Sequence, residues 1–253
     1  MDYQELKTFL DEKVQQYNAP SFIASDPISI PKLFTQKEDI EIAGFLAATI
    51  SWGQRQAILK AGHKIVDSMY HEPFDFVMNG DIDAIPDGPV YRTFNGADLR
   101  YFIKALRHIY LNHGGLETVF TNGYRPNQNI KESIAHFREV FVSFQEPGRT
   151  AKHVANVCKG SSAKRICMYL RWMVRQDQMK VDFGLWKQIN SAHLMLPLDV
   201  HTGNVGRKLG ILTRKQSDWK AVEEITTYLK KLDPKDPIKY DYALFGLGVF
   251  EKF

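Results

Sequence analysis

Two short stretches of this sequence decide how its fold and chemistry are interpreted. The first is Gly160-Ser161-Ser162-Ala163-Lys164, and the second is Leu196-Pro197-Leu198-Asp199-Val200-His201. The first places a lysine, a candidate amine nucleophile, at the start of a predicted helix. The second places an aspartate at the N-cap of another predicted helix, where its carboxylate would be fixed in direction. Capping alone is the other role open to this aspartate, and the two roles are compatible.

Apolar residues recur three and four positions apart along most of the chain, which predicts an all-α protein of about a dozen helices. Convincing alternating strands are absent, and residues 22–24 and 86–94 are interpreted as connections rich in Pro, Gly and Asp. Ser217 is the expected N-cap of its helix. The clearest predicted helices cover residues 2–17, 38–50, 54–70, 97–112, 129–144, 163–176, 217–231 and 239–249.

Composition excludes several classes of protein. No apolar run reaches the roughly 18 residues needed to span a bilayer, and residues 1–5 lack the features of a signal peptide. We therefore expect a cytoplasmic protein with no membrane partner. The two cysteines and eight histidines show no metal-ligand spacing, so neither a metal nor a cofactor is expected. Cys158 and Cys167 are both interpreted as small, buried apolar side chains.

The segment 147–215 is strongly basic. It contains thirteen Lys and Arg against three Asp, a net charge of +10, whereas the whole chain carries only +4. Such a segment suits the phosphate backbone of a nucleic acid. A solvated basic surface without a partner is the alternative.

The helix predicted at 163–176 carries two different faces. Lys164, Arg171 and Arg175 fall within roughly 20° of one another on a helical wheel. Three cations in line are tolerated best beside a polyanion or beside carboxylates of the same chain, and the sequence leaves both open. The face expected to be buried contains Ile166, Cys167, Leu170, Met173 and Val174.

The residues before Lys164 are typical of a helix, a tight hairpin and a second helix. Residues 150–157 form the expected first helix, and Gly160 permits the backbone conformation that the hairpin needs. Ser161 or Ser162 is the expected cap of the second helix. Exposed N–H groups of such a turn can hold a phosphate. An ordinary helix–turn–helix corner is the alternative interpretation.

Together these stretches resemble the helix–hairpin–helix (HhH-GPD) DNA glycosylase superfamily, which includes endonuclease III and the oxoguanine glycosylases. In that superfamily a Gly-Val-Gly-x-Lys hairpin precedes a Val-Pro-Val-Asp-x-His segment. Residues 45–57 resemble its early helix, which ends in a polar, DNA-facing turn, and residues 241–249 resemble its late helix. More closely, residues 164–175 and 182–186 resemble a family of bacterial proteins classed as a domain of unknown function.

The resemblance implies a two-lobed helical bundle with a cleft between the lobes. Residues 36–176 would form the lobe that carries the hairpin, and residues 1–35 with 177–253 would form the lobe that carries Asp199. Lys164 would attack the sugar carbon that bears the base and form a Schiff base that can lead to strand cleavage. Asp199 would stabilise the cationic sugar and help to activate the lysine. The target nucleotide would be flipped out of the duplex.

The activity implied is that of a monomeric base-excision repair glycosylase with abasic-site lyase activity, acting on an oxidised base in duplex DNA. A non-catalytic DNA-binding protein on the same fold and a helical partner-binding domain remain alternatives. The segment 175–192 would either carry part of the base pocket or fill the cleft. The expected DNA contacts are Gly160, Ser161, Ser162, Arg165, Arg171, Arg175, Gln54 and His201. The expected base-pocket residues are Trp52, Trp172, Phe183 and Trp186.

Overall fold

The computed structural model describes residues 1–253 and confirms the all-α class. A two-stranded antiparallel hairpin, β1 (Pro89–Tyr91) and β2 (Phe94–Asn95), replaces the connection predicted at 86–94. None of the helices is long and apolar enough to cross a membrane. The helices are α1 (Tyr3–Tyr17), α2 (Lys37–Thr49), α3 (Arg55–Asp67), α4 (Pro73–Asn79), α5 (Gly96–Asn112), α6 (Leu116–Tyr124), α7 (Ile130–Ser143), α8 (Lys164–Val174), α9 (Val200–Lys208), α10 (Trp219–Leu232) and α11 (Tyr240–Val249).

The chain divides into two compact units. The first unit comprises Met1–Ala24 and Val157–Phe253, and the second comprises Ser25–Asn156. The predicted division differs, because it placed residues 157–176 with 36–156 and residues 25–35 with 177–253. In the structure Trp219 donates its backbone N–H to the carbonyl of Gly160, and Trp186 donates to that of Met173. These bonds tie the hairpin and α8 to later segments of the chain. The arrangement of two lobes about a cleft stays a prediction.

The second unit is built around α2 and a cluster of phenylalanines. Residues 40–49 of α2 are all buried, which makes it the central helix of this unit. Phe45 meets Phe137 edge to face at 5.3 Å between ring centroids, and Phe102 meets Phe141 at 4.8 Å. Phe120 of α6 stacks on Phe137 of α7 at 4.3 Å. Such ring pairs add to the free energy gained by burying the rings.

The first unit packs α1, α9 and α11 together and also contains α8 and α10. Helix α11 approaches α9 closely. If Gly248 of α11 carried a Cβ, this atom would lie only 2.9 Å from the Cβ of His201 in α9. In α10 the predicted stripe of Trp219, Val222, Ile225, Leu229 and Leu232 is buried.

The N-cap of α10 is Asp218, so the prediction of Ser217 was wrong by one residue. The carboxylate of Asp218 accepts the N–H of Ala221 at 3.1 Å and pairs with the guanidinium of Arg214 at 2.5 Å. A carboxylate held in this way satisfies an otherwise unpaired donor of the first helical turn.

Candidate functional site

The turn before α8 is built from left-handed backbone. Gly160 has a φ of +84° and Ala163, the N-cap residue, has a φ of +48°. The helix predicted at 150–157 is instead two 3₁₀ turns, Gly148–His153 and Val157–Lys159. A Cβ at Gly160 would meet nothing within 4 Å, so glycine is needed there for its backbone conformation and not for space.

Ser161 and Ser162 do not cap α8, which corrects that prediction. The hydroxyl of Ser161 accepts the N–H of Ala163 at 3.2 Å, one residue before the helix begins, and the N-cap makes no side-chain hydrogen bond. Ser161 also forms an isolated β-bridge with Asp218. The hairpin is therefore fastened to the start of α10, while its exposed residues, Gly160 and Ser161, face solvent.

Lys164 is the first residue of α8 and is half-buried. Its ammonium group makes no hydrogen bond or ion pair with the rest of the chain. A cation at the N-terminus of a helix is disfavoured by the helix dipole. The amine is thus not held in a salt bridge at this position.

Asp199 caps α9, as predicted. Its carboxylate accepts the N–H of Thr202 at 2.9 Å, and the Thr202 hydroxyl accepts the N–H of Asp199 at 2.9 Å. This reciprocal capping box fixes the direction of the carboxylate and leaves the residue half-buried.

A third ionisable group, which the sequence pattern did not reveal, interacts electrostatically with both of these residues. Asp241 in the first turn of α11 is buried, with 5% of its surface exposed. Burial raises the pKa of Asp241 to about 6, although the ion pair with Arg171 opposes the shift. The negative charge of Asp199 raises this pKa further, and the positive charge of Lys164 lowers it. Lys164 and Asp199 therefore both act on one buried carboxylate.

Arg171 and Arg175 are buried, with 4% and 2% of their surfaces exposed. The guanidinium of Arg171 pairs with Asp241 and, at 3.2 Å, with Asp182. The guanidinium of Arg175 pairs with the other oxygen of Asp182 at 3.0 Å and with Asp236 at 2.9 Å. The expectation that both arginines contact DNA is thus corrected in favour of the alternative, pairing with carboxylates of the same chain.

The carboxylates of Asp177, Asp182 and Asp236 surround the head group of Arg175. Neighbouring negative charges hold the pKa of this guanidinium above its usual range, although burial lowers it. An arginine is suited to this position because its planar head group can donate to several carboxylates at once. These ion pairs hold the segment after α8 against the helix. The backbone carbonyl of Trp172 also accepts the N–H of Phe183 at 2.8 Å.

Two of the four expected base-pocket residues belong to the core instead. Trp172 and Trp186 are 0% and 1% exposed, and the ring of Trp186 packs edge-on against Tyr169 at 5.5 Å between centroids. Large apolar side chains in this segment are buried against α8, which leaves no surface for a base. The half-buried Phe183 and Trp52 stay predictions.

In the second unit, the turn between α2 and α3 carries the remaining predicted residues. Trp52 is half-buried, and its ring meets that of Tyr91 edge-on at 5.1 Å. Gln54 is exposed at the N-cap of α3 and makes no capping hydrogen bond. An open cavity of about 440 Å³ in this unit is lined by residues between Ser68 and Pro86, and none of the predicted site residues lines it.

Three other sequence predictions have mixed outcomes. Arg165 is half-buried, and burial lowers the pKa of its guanidinium to about 10. His201 is exposed in the first turn of α9, with its ring 6.5 Å from that of Phe245. Cys167 is buried as predicted, whereas Cys158 is exposed, which corrects the prediction that both thiols are buried. The DNA contacts of Arg165 and His201 stay predictions.

The sequence did contain a signal for Asp241. It is a single carboxylate in the otherwise apolar helix Tyr240–Val249, and such a group is retained in a core only with a partner.

The arrangement as a whole brings together an unpaired amine, a capping carboxylate and a buried carboxyl that can be protonated near neutral pH. A nucleophilic attack by an amine needs such groups, because the ammonium must first lose a proton to an acceptor.

Comparison with known proteins places the chain in a family without assigning an activity to it. No curated protein and no solved structure matches the chain significantly. A family model matches residues 26–250, which covers most of both units. The chain therefore belongs to DUF2400, a family described as proteins of unknown function.

Proposed function

We propose that this protein is a base-excision repair DNA glycosylase with abasic-site lyase activity, and that Lys164 forms the Schiff base. The observation that supports the proposal most is that Lys164 and Asp199 both act electrostatically on the buried Asp241 carboxyl. Each of the two residues lies at the start of its own helix. The resemblance of their two stretches to the helix–hairpin–helix glycosylases supplies the reaction, by analogy.

In the proposed reaction, Nζ of Lys164 attacks C1′ of a flipped nucleotide. The bond between C1′ and the base nitrogen breaks, and the base leaves with that electron pair and takes up a proton. Asp199, fixed by its capping box, stabilises the positive charge that develops on the sugar. The C1′–O4′ bond then breaks, O4′ takes up a proton, and the Lys164 nitrogen forms a protonated imine with C1′. C2′ then loses a proton, and the 3′ phosphate leaves with the electron pair of its C3′–O bond.

The substrate proposed is an oxidised base in duplex DNA, bound by a cytoplasmic monomer without a cofactor. Backbone amides around Gly160 would hold a phosphate beside the flipped nucleotide. His201 and Gln54 would contribute further contacts. Arg171 and Arg175 are excluded from this set by their burial and their ion pairs.

Borohydride trapping on duplex DNA that contains an abasic site tests the role of Lys164. Lys164→Gln should abolish the covalent product and leave DNA binding largely intact, because the imine needs the amine whereas binding depends mainly on other groups. Lys231→Gln, which removes an exposed lysine in the last turn of α10, should trap like the wild-type protein.

Asp199→Asn separates the charge of this residue from its capping role. Asparagine is as good an N-cap as aspartate, so the variant should keep its thermal stability. It should remove an oxidised base more slowly, by about 10²–10³-fold if the lost charge stabilises the transition state as such groups do elsewhere. If the wild-type protein traps no damaged or abasic DNA over a broad lesion panel but still binds duplex DNA, a non-catalytic DNA-binding protein becomes the better account.

A further inference from the structure

Asp241 lies on the face of α11 that packs against α9. Phe245 and Gly248 follow it at helical positions four and seven residues later, so the three residues share one face. Phe245 and Gly248 both contact His201, which is two residues after Asp199. Asp241 therefore lies on the face of α11 that packs against α9, and the charge of Asp199 acts on its carboxyl. The guanidinium of Arg171 pairs with this carboxyl.

Charged and titratable groups from several elements face the Asp241 carboxyl. Lys164, Cys167 and Arg171 approach it from α8, and Asp199 approaches it from α9. Burial raises the pKa of the Cys167 thiol, and the charge of Asp241 raises it further, so this thiol is not a proton donor at neutral pH. Through Arg171, the network extends to Asp182.

Carboxylates outnumber cations in the network. It contains the cations Lys164, Arg171 and Arg175 and the carboxylates Asp177, Asp182, Asp199, Asp236 and Asp241. Neighbouring like charges and burial both favour the protonated form of a carboxyl group. Asp182 is shared by two guanidiniums, whereas Asp241 pairs with one and also faces Asp199. Burial and the charge of Asp199 therefore favour the protonated form of Asp241.

We propose that Asp241 is the proton acceptor that converts the Lys164 ammonium into the free amine. One proton passes from Nζ of Lys164 through a water molecule to the carboxylate of Asp241, and leaves a neutral amine and a neutral carboxyl. The amine nitrogen then uses its free electron pair to attack C1′. Arg171 keeps the acceptor oriented, and Asp199 remains the group that stabilises the sugar. The inference rests on the proposed function, whose nucleophile it activates.

The pKa of Asp241, which burial raises to about 6, supports this role. A proton acceptor works best when its pKa lies near the pH at which the enzyme operates. Asp241 is ionised and able to accept a proton above this value, and it is protonated and inactive below it. Trapping by the wild-type protein should therefore become faster as the pH rises through about 6.

The pH dependence of borohydride trapping on abasic duplex DNA provides the first test. Asp241→Asn should slow trapping by about 10²-fold or more and remove the rise near pH 6, and Asp241→Glu should restore part of both. Asp236→Asn is the matched control, because it removes another carboxylate of the arginine network that contacts Arg175 alone. It should lower stability without changing the shape of the pH profile.

The second test needs no activity. The titration of the Asp241 carboxyl, followed by ¹³C NMR, should move to higher pH in Lys164→Met, which removes a positive neighbour. It should move to lower pH in Asp199→Asn, which removes a negative one. An unmoved titration in Lys164→Met would overturn the inference, even if Asp241→Asn proved unable to fold.

The two proposals fail in different ways. Absence of trapping by the wild-type protein at every pH would reject the proposed function. Trapping by the wild-type protein together with an unchanged pH profile in Asp241→Asn would reject Asp241 as the proton acceptor and leave the glycosylase proposal standing.

Discussion

Arg175 shows at the scale of one residue how the charges of α8 are used. Its guanidinium is buried and contacts the carboxylates of Asp177, Asp182 and Asp236. Removing one partner of a buried ion pair leaves the other charge without compensation, at a cost of about 3–5 kcal/mol. We therefore expect Arg175→Met to lower the free energy of unfolding, measured by urea denaturation, by an amount in this range.

The matched control for Arg175 is Arg214→Met. Arg214 also pairs with an aspartate, Asp218, but both side chains of this pair are about one third exposed. Solvent screens such a pair, so the loss of stability should be much smaller. The double variant Arg175→Met with Asp182→Asn should recover part of the stability, because it no longer buries an uncompensated carboxylate. Equal losses in Arg175→Met and Arg214→Met would contradict a structural role for the buried network.

At the scale of elements, the close approach of α9 and α11 positions the candidate site. A Cβ at Gly248 would lie 2.9 Å from the Cβ of His201 and 3.3 Å from its backbone carbonyl, so neither partner can move aside as a flexible side chain does. Gly248→Ala should therefore separate the two helices and lower the free energy of unfolding by about 1–3 kcal/mol, the usual range for overpacking.

Because Asp199 begins α9 and Asp241 lies in the first turn of α11, Gly248→Ala should also reduce borohydride trapping by the folded protein. The control is Asn204→Ala on the exposed face of α9, which should alter neither stability nor trapping appreciably. A Gly248→Ala protein with wild-type stability and trapping would show that the spacing of these two helices does not set the site.

Elements with a long apolar stripe were predictable from the sequence, and short ones were not. The apolar stripe of α10 predicts the buried face of this helix correctly, because a helical period repeated over fourteen residues fits no other secondary structure. The nine-residue helix α6 was missed, and residues 150–157 were predicted as one helix although the structure has two 3₁₀ turns. A 3₁₀ turn is too short to establish a period, so a local pattern cannot separate it from an α-helical one.

At the scale of the whole molecule, the site was only partly predictable for a physical reason. The cap at Asp199 depends on neighbours within three residues, and sequence pattern found it. The partners of Arg171 and Arg175 are as many as 70 and 61 positions away. A helical wheel places three cations of α8 in line, but it contains no information about which distant carboxylates fold against them. In the folded protein, Arg171 and Arg175 therefore form internal ion pairs and not the expected DNA contacts.

Burial removes Arg171 and Arg175 from the cations that can meet a phosphate backbone, although segment 147–215 still carries a net charge of +10. Each phosphate contact contributes about −0.9 to the slope of log affinity against log salt for duplex DNA.

Lys159, exposed immediately before the hairpin glycine, is better placed than the buried arginines to make such a contact. We expect the affinity of the wild-type protein for duplex DNA to fall steeply with salt, and Lys159→Gln to reduce the slope by about one. Lys231→Gln, outside the basic segment, should leave the slope unchanged. An affinity that does not depend on salt would mean that the basic segment is a solvated surface, and equal slopes in all three proteins would remove Lys159 from the DNA interface.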